Sequence, residues 1–334
     1  MIELLKKLED NTVLVTGATG LIGQCIVKEL IKYNSHAEIP IHIVALIRNK
    51  IKAQYTFGEN IENLEYVVGD IRDVELSGIC ADYIIHAASQ TSSRGFVSSP
   101  VETILVSLDG TKKLLDYAKT QKLKRFIYLS TMEVYGAPKT DDKIDEKYVT
   151  NLDTMKVRSC YPESKRMCEN LCVSYACEFG IPINILRLTQ TFGEGVKYND
   201  SRVFAEFARC VIENKDIVLK TKGETKRSYL NVRDAVNAII IVMTSNVVGE
   251  AFNVANESTY CSIYEMAELV ARKIAKGHIS VKLDLNGENS RGFAPTLKMN
   301  LDTSKLKKLG WNSNTSLEDT FYEMILWMRE HKND

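Results

Sequence analysis

Short apolar runs alternating with helical stretches set the rhythm of the first 190 residues. Thr12–Thr16 (T-V-L-V-T) is β-branched and ends at Gly17, and the apolar spacing from Leu21 to Tyr33 is that of an amphipathic helix. Further strands are expected over Ile41–Ile47, Leu64–Val68, Tyr83–Ala87, Arg125–Leu129 and Pro182–Leu188. Helices are expected over Val101–Gln121 and Tyr161–Phe179, and Ile2, Leu5 and Leu8 suggest a short one at the start. Strands that alternate with helices and lack hairpin signals between them form βαβ units, so the pattern predicts an α/β fold with a doubly wound parallel sheet. Beyond residue 190 the rhythm breaks. Residues 190–224 are rich in glycine, charge and aromatics, and helices are expected at Val203–Glu213, Val232–Met243 and Leu317–His331. The expected division is a larger domain over 1–190 and a smaller, partly interleaved domain over 191–334, with helix 232–243 returning to the first.

Composition narrows the function classes. The 334 residues are 45% hydrophobic and 26% charged with zero formal net charge, as in a soluble enzyme of one or two domains. No basic tract supports a nucleic-acid partner, and no apolar run reaches the roughly 20 residues that span a bilayer. The start, M-I-E-L-L-K-K-L-E-D, reads as neither signal nor transit peptide. Cys168, Cys172 and Cys177 cluster without a C-x-x-C pair or a nearby histidine. The eight cysteines are therefore expected to be reduced, with no metal, in a cytoplasmic protein.

The first chemical motif lies where the first strand meets the first helix. In T-G-A-T-G-L-I-G, residues 16–23, Gly17 permits a tight turn, Gly20 lets the backbone approach a pyrophosphate, and Gly23 lets helix pack on strand. Thr19, Leu21 and Ile22 fill the loop and the helix start, where free N–H groups face the phosphates. A Rossmann-type sheet binding NAD or NADP follows. The second strand ends in A-L-I-R-N, so Arg48 stands where an acidic residue would bond the ribose hydroxyls of NAD. Arg48 either favours a 2′-phosphate, leaving NADP open, or stacks on adenine. Asp70 ends the third strand near the expected adenine.

Tyr161 and Lys165 lie four apart in Y-P-E-S-K, on one face of a helix. A cation beside a phenol favours phenolate, which can take the proton of an alcohol while hydride leaves for nicotinamide. Among 15 tyrosines the spacing alone is weak. It gains weight from company: T-G-A-T-G-L-I-G, V-V-G-D-I-R-D, H-A-A-S, L-S-T-M-E-V-Y-G and Y-P-E-S-K occur in this order. The chain thereby resembles the extended short-chain dehydrogenase/reductase family, in particular its nucleotide-sugar epimerases, dehydratases and decarboxylases. R-L-T-Q-T-F-G (187–193), R-S-Y-L-N-V-R-D-A (227–235), F-N-V-A-N (252–256) and L-D-T-S-K-L-K-K-L-G-W (301–311) extend the likeness over most of the chain.

The resemblance implies that a tightly held NAD(P) oxidises C4 of a nucleotide-diphosphate sugar transiently. Tyr161 would be the acid/base, Lys165 would bind the nicotinamide ribose, and Thr131 would bond the reacting oxygen. Ile71, Ala87, Ala88 and Ser107 would line the cofactor, and Ser89, Gln190, Arg227 and Arg291 the substrate. Gln190 and Ser107 each stand where the family usually has asparagine. Where 4,6-dehydratases carry Asp-Glu after the threonine, this chain has Met132-Glu133, and a thioether cannot protonate a leaving hydroxyl. Glu133 would serve decarboxylation of a sugar acid; a 4-epimerase would not need it, and it could then be a locally bonded residue. The expected order is epimerisation, decarboxylation, dehydration. An NADPH-dependent keto-sugar reductase and a non-catalytic dinucleotide sensor stay open. Apolar residues on more than one face of Val101–Gln121 and Tyr161–Phe179 suggest a homodimer.

Overall fold

The structure is a computed structural model, and it describes residues 1–90, 95–285 and 296–332. The first half runs α1 (Ile2–Leu5), β1 (Thr12–Thr16), α2 (Leu21–Asn34), β2 (His42–Ile47), α3 (Lys50–Phe57), β3 (Leu64–Val68) and β4 (Tyr83–His86). It continues through α4 (Gly95–Ser98), α5 (Pro100–Ala118), β5 (Arg125–Thr131), α6 (Cys160–Phe179) and β6 (Ile183–Leu188). The second half has β7 (Gln190–Phe192), α7 (Val203–Glu213), β8 (Ile217–Leu219), β9 (Lys226–Asn231), α8 (Val232–Thr244) and β10 (Ala251–Val254). After these come β11 (Asn256–Ser262), α9 (Ile263–Leu269), β12 (Val281–Leu283), β13 (Lys298–Met299), α10 (Ser304–Lys307) and α11 (Leu317–Glu330).

Seven strands form one parallel sheet in the order β10-β6-β5-β4-β1-β2-β3. Strands covered by helices on both faces need apolar side chains on both, which is why Tyr83–His86 and Arg125–Thr131 are buried at every position. The seventh strand, Ala251–Val254, was not expected from the pattern. Its buried Asn253 breaks the apolar run, yet it is satisfied: Tyr135 Oη donates to its Oδ1 at 2.7 Å, and its Nδ2 donates to the carbonyls of Ile144 and Asp302. α3 was also not expected; it buries only Ala53 and Phe57 and carries little apolar patterning.

α8 is buried over most of its surface and shares one core with β1, β2 and α2. The Trp311 indole N–H donates to the Asp234 carbonyl at 3.0 Å, tying the chain after α10 to this helix. A separate core of Phe192, Phe204, Tyr229 and Phe321 holds the second half together, with Phe192 and Phe204 stacked at 4.4 Å. The cleft between these two cores opens at the carboxyl ends of β1, β4 and β5, where α/β sheets bind ligands.

Candidate active site

A cleft of about 440 Å³ collects residues from the whole first half and from the start of the second. Its floor is the glycine loop. Gly17 has φ +63°, and a Cβ there would lie 2.8 Å from the Ala88 backbone; one on Gly23 would lie 2.3 Å from the Gly17 carbonyl oxygen. Side chains are thus excluded by backbone contact, which keeps the loop flat. α2 begins at Gly20 with no side-chain cap, so its first N–H groups stay open to an anion. This cradle fits a dinucleotide diphosphate. Gly17, Thr19, Gly20, Leu21, Ile22 and Gly23 all line it, as do Arg48, Asp70, Ile71, Ala87, Ala88 and Ser89.

The wall behind Gly17 is set by a buried histidine whose part was not legible in H-A-A-S. His86 shares hydrogen bonds with Thr16 Oγ1 at 2.8 Å and Thr111 Oγ1 at 3.1 Å, and Thr16 Oγ1 accepts from Ala88 N–H at 3.1 Å. Burial pulls the His86 pKa down to about 3, so the ring stays neutral and structural.

At the adenosine end, Asp70 is already engaged. The Arg72 side chain donates to it at 2.9 and 3.3 Å and the Arg72 backbone at 3.1 Å, and these hydrogen bonds hold its carboxyl below the usual range. Arg48 is exposed at the lip. A cation not foreseen joins it: Lys52, on α3, donates to the Thr19 carbonyl at 2.7 Å. Its pKa is lowered by burial, then by nearby Lys197 and Arg48.

The reacting end gathers Thr131, Glu133 and Tyr161 with Lys165. Tyr161 is buried and stacks on Phe96 at 4.3 Å and 15°. Thr131 ends β5 and lines the same cleft as the phenol, and its Oγ1 accepts the Glu133 N–H at 3.2 Å. The Glu133 carboxylate accepts from Arg158 Nη2 at 2.9 and 3.1 Å. The expected phenolate is not what this arrangement produces. Burial pushes the Tyr161 pKa up, the Glu133 charge adds to this, and Thr131, Arg158 and Arg202 pull only partly the other way. Lys165 does not supply the missing stabilisation, because its ammonium donates to the Leu129 carbonyl at 2.8 Å and lies 4.7 Å over the Tyr128 ring. Burial lowers the Lys165 pKa as well.

Gln190 lines the cleft, and its Oε1 is buried without a hydrogen-bond partner among the described residues. Two expected residues are not brought in. Ser107 is buried in α5, where its hydroxyl donates to the Thr103 carbonyl at 2.9 Å, as helical serines do when no other acceptor is near. Arg227, on β9, lies outside the residues lining the cleft, and its Nε is buried and unpartnered among the described residues. Arg291 lies outside the described residues. Arg158, Phe96, Lys52 and Arg202 were missed. Arg158 alone carried a signal, its place three residues before Tyr161; Phe96 and Arg202 come from distant segments. Arg202 forms a fork with Asp200, Nη2 to Oδ2 at 2.6 Å, at the cleft wall.

Beneath this end, Ser130 Oγ donates to Glu169 at 2.5 Å, and Glu169 is ion-paired with Arg187 at 2.7 Å. Ser130 thus serves to tie β5 to α6. Among the described residues no cluster of metal-ligating side chains occurs, and no helix is long and apolar enough to cross a membrane.

Comparison with known proteins decides the family. The sequence profile of the NAD dependent epimerase/dehydratase family matches residues 13–255. The chain belongs to this family. It is accordingly an NAD-dependent enzyme, and its seven-stranded parallel sheet is the family's Rossmann-type fold. UDP-glucuronic acid decarboxylase 1 of Xenopus tropicalis is 28% identical over 98% of this chain and 75% of its own length. UDP-N-acetyl-alpha-D-glucosaminuronate decarboxylase of Bacillus cytotoxicus is 29% identical over 96% of this chain and 98% of its own. Among solved structures, UDP-glucuronic acid 4-epimerase from Bacillus cereus, in complex with UDP-glucuronic acid and NAD, superposes with a TM-score of 0.79 at 23% identity. That match covers 96% of this chain and 99% of the other.

Proposed function

We propose that this enzyme decarboxylates a nucleotide-linked sugar acid, a UDP-uronate, through transient oxidation at C4. The observation that carries this is the grouping of Thr131, Tyr161 and Glu133 in one cleft, with Met132 in the place next to Glu133. Met132 is buried and accepts the Thr189 hydroxyl at 3.2 Å, and its thioether cannot protonate a departing C6 hydroxyl. A carboxylate β to a C4 ketone needs no such acid. The relatives named above, decarboxylases matched over nearly the whole chain, support decarboxylation over the epimerisation that the sequence had ranked first.

Bound NAD would supply the acceptor for the C4 hydride and its return. The glycine loop and the open start of α2 would hold the diphosphate, and Lys165 the nicotinamide ribose. Thr131 would bond the C4 oxygen and present its proton to Tyr161. Burial favours the protonated phenol, and positive charge beside it would favour the phenolate needed for the base step. Glu133 would serve the C5 side of the ring, where carbon dioxide leaves and a proton replaces it. Incubating the protein with UDP-glucuronate and analysing the product by mass tests this: loss of carbon dioxide supports it, and an isomer of unchanged mass supports the epimerase reading instead.

Arg48 and Lys52 favour one second reading, an NADPH-dependent reductase, since two cations line the adenosine end and Asp70 is held by Arg72. The eight unpaired thiols suit a reducing compartment such as the cytoplasm. α6 buries Cys168 and Cys172 and exposes Met167 and Val173, while α5 exposes Val101 and Leu105; these apolar faces suit a second copy of the chain. Light scattering should give the mass of two chains.

A further inference from the structure

We propose that Arg158 is a positioning residue for the reaction: its guanidinium fixes the Glu133 carboxylate and the Phe96 ring beside the Tyr161 phenol. The inference rests on the sugar-acid reading above. Arg158 lies in the 3-10 turn Val157–Ser159 that leads into α6, three residues before the phenol. Its Nη2 donates to both Glu133 oxygens, at 2.9 and 3.1 Å. Among the described residues the Glu133 carboxylate has no other hydrogen-bond partner; its backbone is held by Thr131, but its side-chain torsions are set by Arg158 alone. The same guanidinium lies 4.6 Å from the centre of the Phe96 ring, and that ring stacks on Tyr161. One side chain therefore joins α4, the turn after β5 and the start of α6 where the three meet the phenol.

Stability does not account for this arrangement. The two side chains are 36% and 31% exposed, and ion pairs so open to water contribute little to folding. What the pair does provide is a fixed carboxylate position, and misplacing a reacting group costs rate steeply. The planar guanidinium serves both contacts at once, bonding the carboxylate and lying over a ring, which an ammonium does less well. Arg158 also offsets part of the Glu133 charge felt by Tyr161.

The test compares wild type, R158M, R158K, E133Q and R158M/E133Q as holoenzymes on UDP-glucuronate, with cofactor content and melting temperature measured on each. R158M is expected to lower kcat on the order of 10–100-fold, with KM changed by less than about threefold and cofactor content and melting unchanged. R158K should recover part of that loss. The double variant should be within about twofold of the slower single variant, because both changes remove one interaction. Wild-type kcat in R158M, a loss confined to KM, or multiplied effects in the double variant would overturn the proposal. Should R158M fail to fold, R158K decides: a fall of about threefold or more is expected, and wild-type kcat overturns the proposal. If wild type releases no carbon dioxide, the sugar-acid reading itself fails and takes this inference with it.

Discussion

The two ends of the cleft are built from different materials. The cofactor end is backbone: Gly17 and Gly23 are pressed against the Ala88 backbone and the Gly17 carbonyl, and the start of α2 has no side-chain cap, which leaves N–H groups for a diphosphate. The sugar end is side chain: Thr131, Glu133, Arg158, Phe96 and Tyr161 come from three separate segments and meet through hydrogen bonds and stacking. Backbone geometry dictates residue type at fixed spacing, whereas a side-chain cluster dictates only that certain groups arrive at one place. The first end can be shared across many chemistries; the second has to be rebuilt for each.

Breaking the sugar end alone should have the largest effect. Tyr161→Phe removes the acid/base but keeps the ring on Phe96, so turnover should fall about 10²–10⁴-fold while NAD binding is retained; unchanged initial rates would refute the assignment. Glu169→Ala tests what supports that end from below. Arg187 would be left buried without its partner, and Ser130 without its acceptor, at a cost of about 3–5 kcal/mol in denaturant unfolding. A loss under about 1 kcal/mol would show that the pair is not a buttress.

Gly23→Ala attacks the other end. The added methyl meets the Gly17 carbonyl at 2.3 Å, so the loop must shift, and NAD affinity by calorimetry should fall about tenfold or more, equivalent to about 1.4 kcal/mol. Fold and melting should change far less. The smallest effect expected is from Arg48→Ala at the exposed lip. It should lower NADP affinity several-fold and NAD affinity little; an equal loss for both would point to stacking on adenine instead.

The same contrast explains what could be read in advance. Thr12–Thr16 and Val203–Glu213 have the bounds their apolar patterns predict, because burial on both faces of a strand or one face of a helix leaves a local signature; the edge strand Leu64–Val68 also has the predicted bounds, though it is only partly buried. Ala251–Val254 left none, since Asn253 interrupts its apolar run and is satisfied by residues more than 45 positions away. At the site, the glycine loop was legible from its spacing, and Tyr161–Lys165 only from the motifs that accompany it. Arg158 was not assigned a role, because a guanidinium before a helix is ordinary until Glu133 and Phe96 are seen against it. The lowering of the phenol pKa expected from the i, i+4 cation is opposed by burial. Spacing places Lys165 on the right face, but the Leu129 carbonyl and Tyr128 ring take its ammonium, and burial then raises the phenol.

Thr131, Glu133 and Tyr161 acting together on one sugar is the central claim, and the fate of UDP-glucuronate in the presence of the pure enzyme and NAD tests it most directly. The account predicts a UDP-sugar product lighter by carbon dioxide, formed with no net change in NADH. An unchanged sugar acid, an isomer of the same mass, or stoichiometric NADH without loss of carbon dioxide would contradict it.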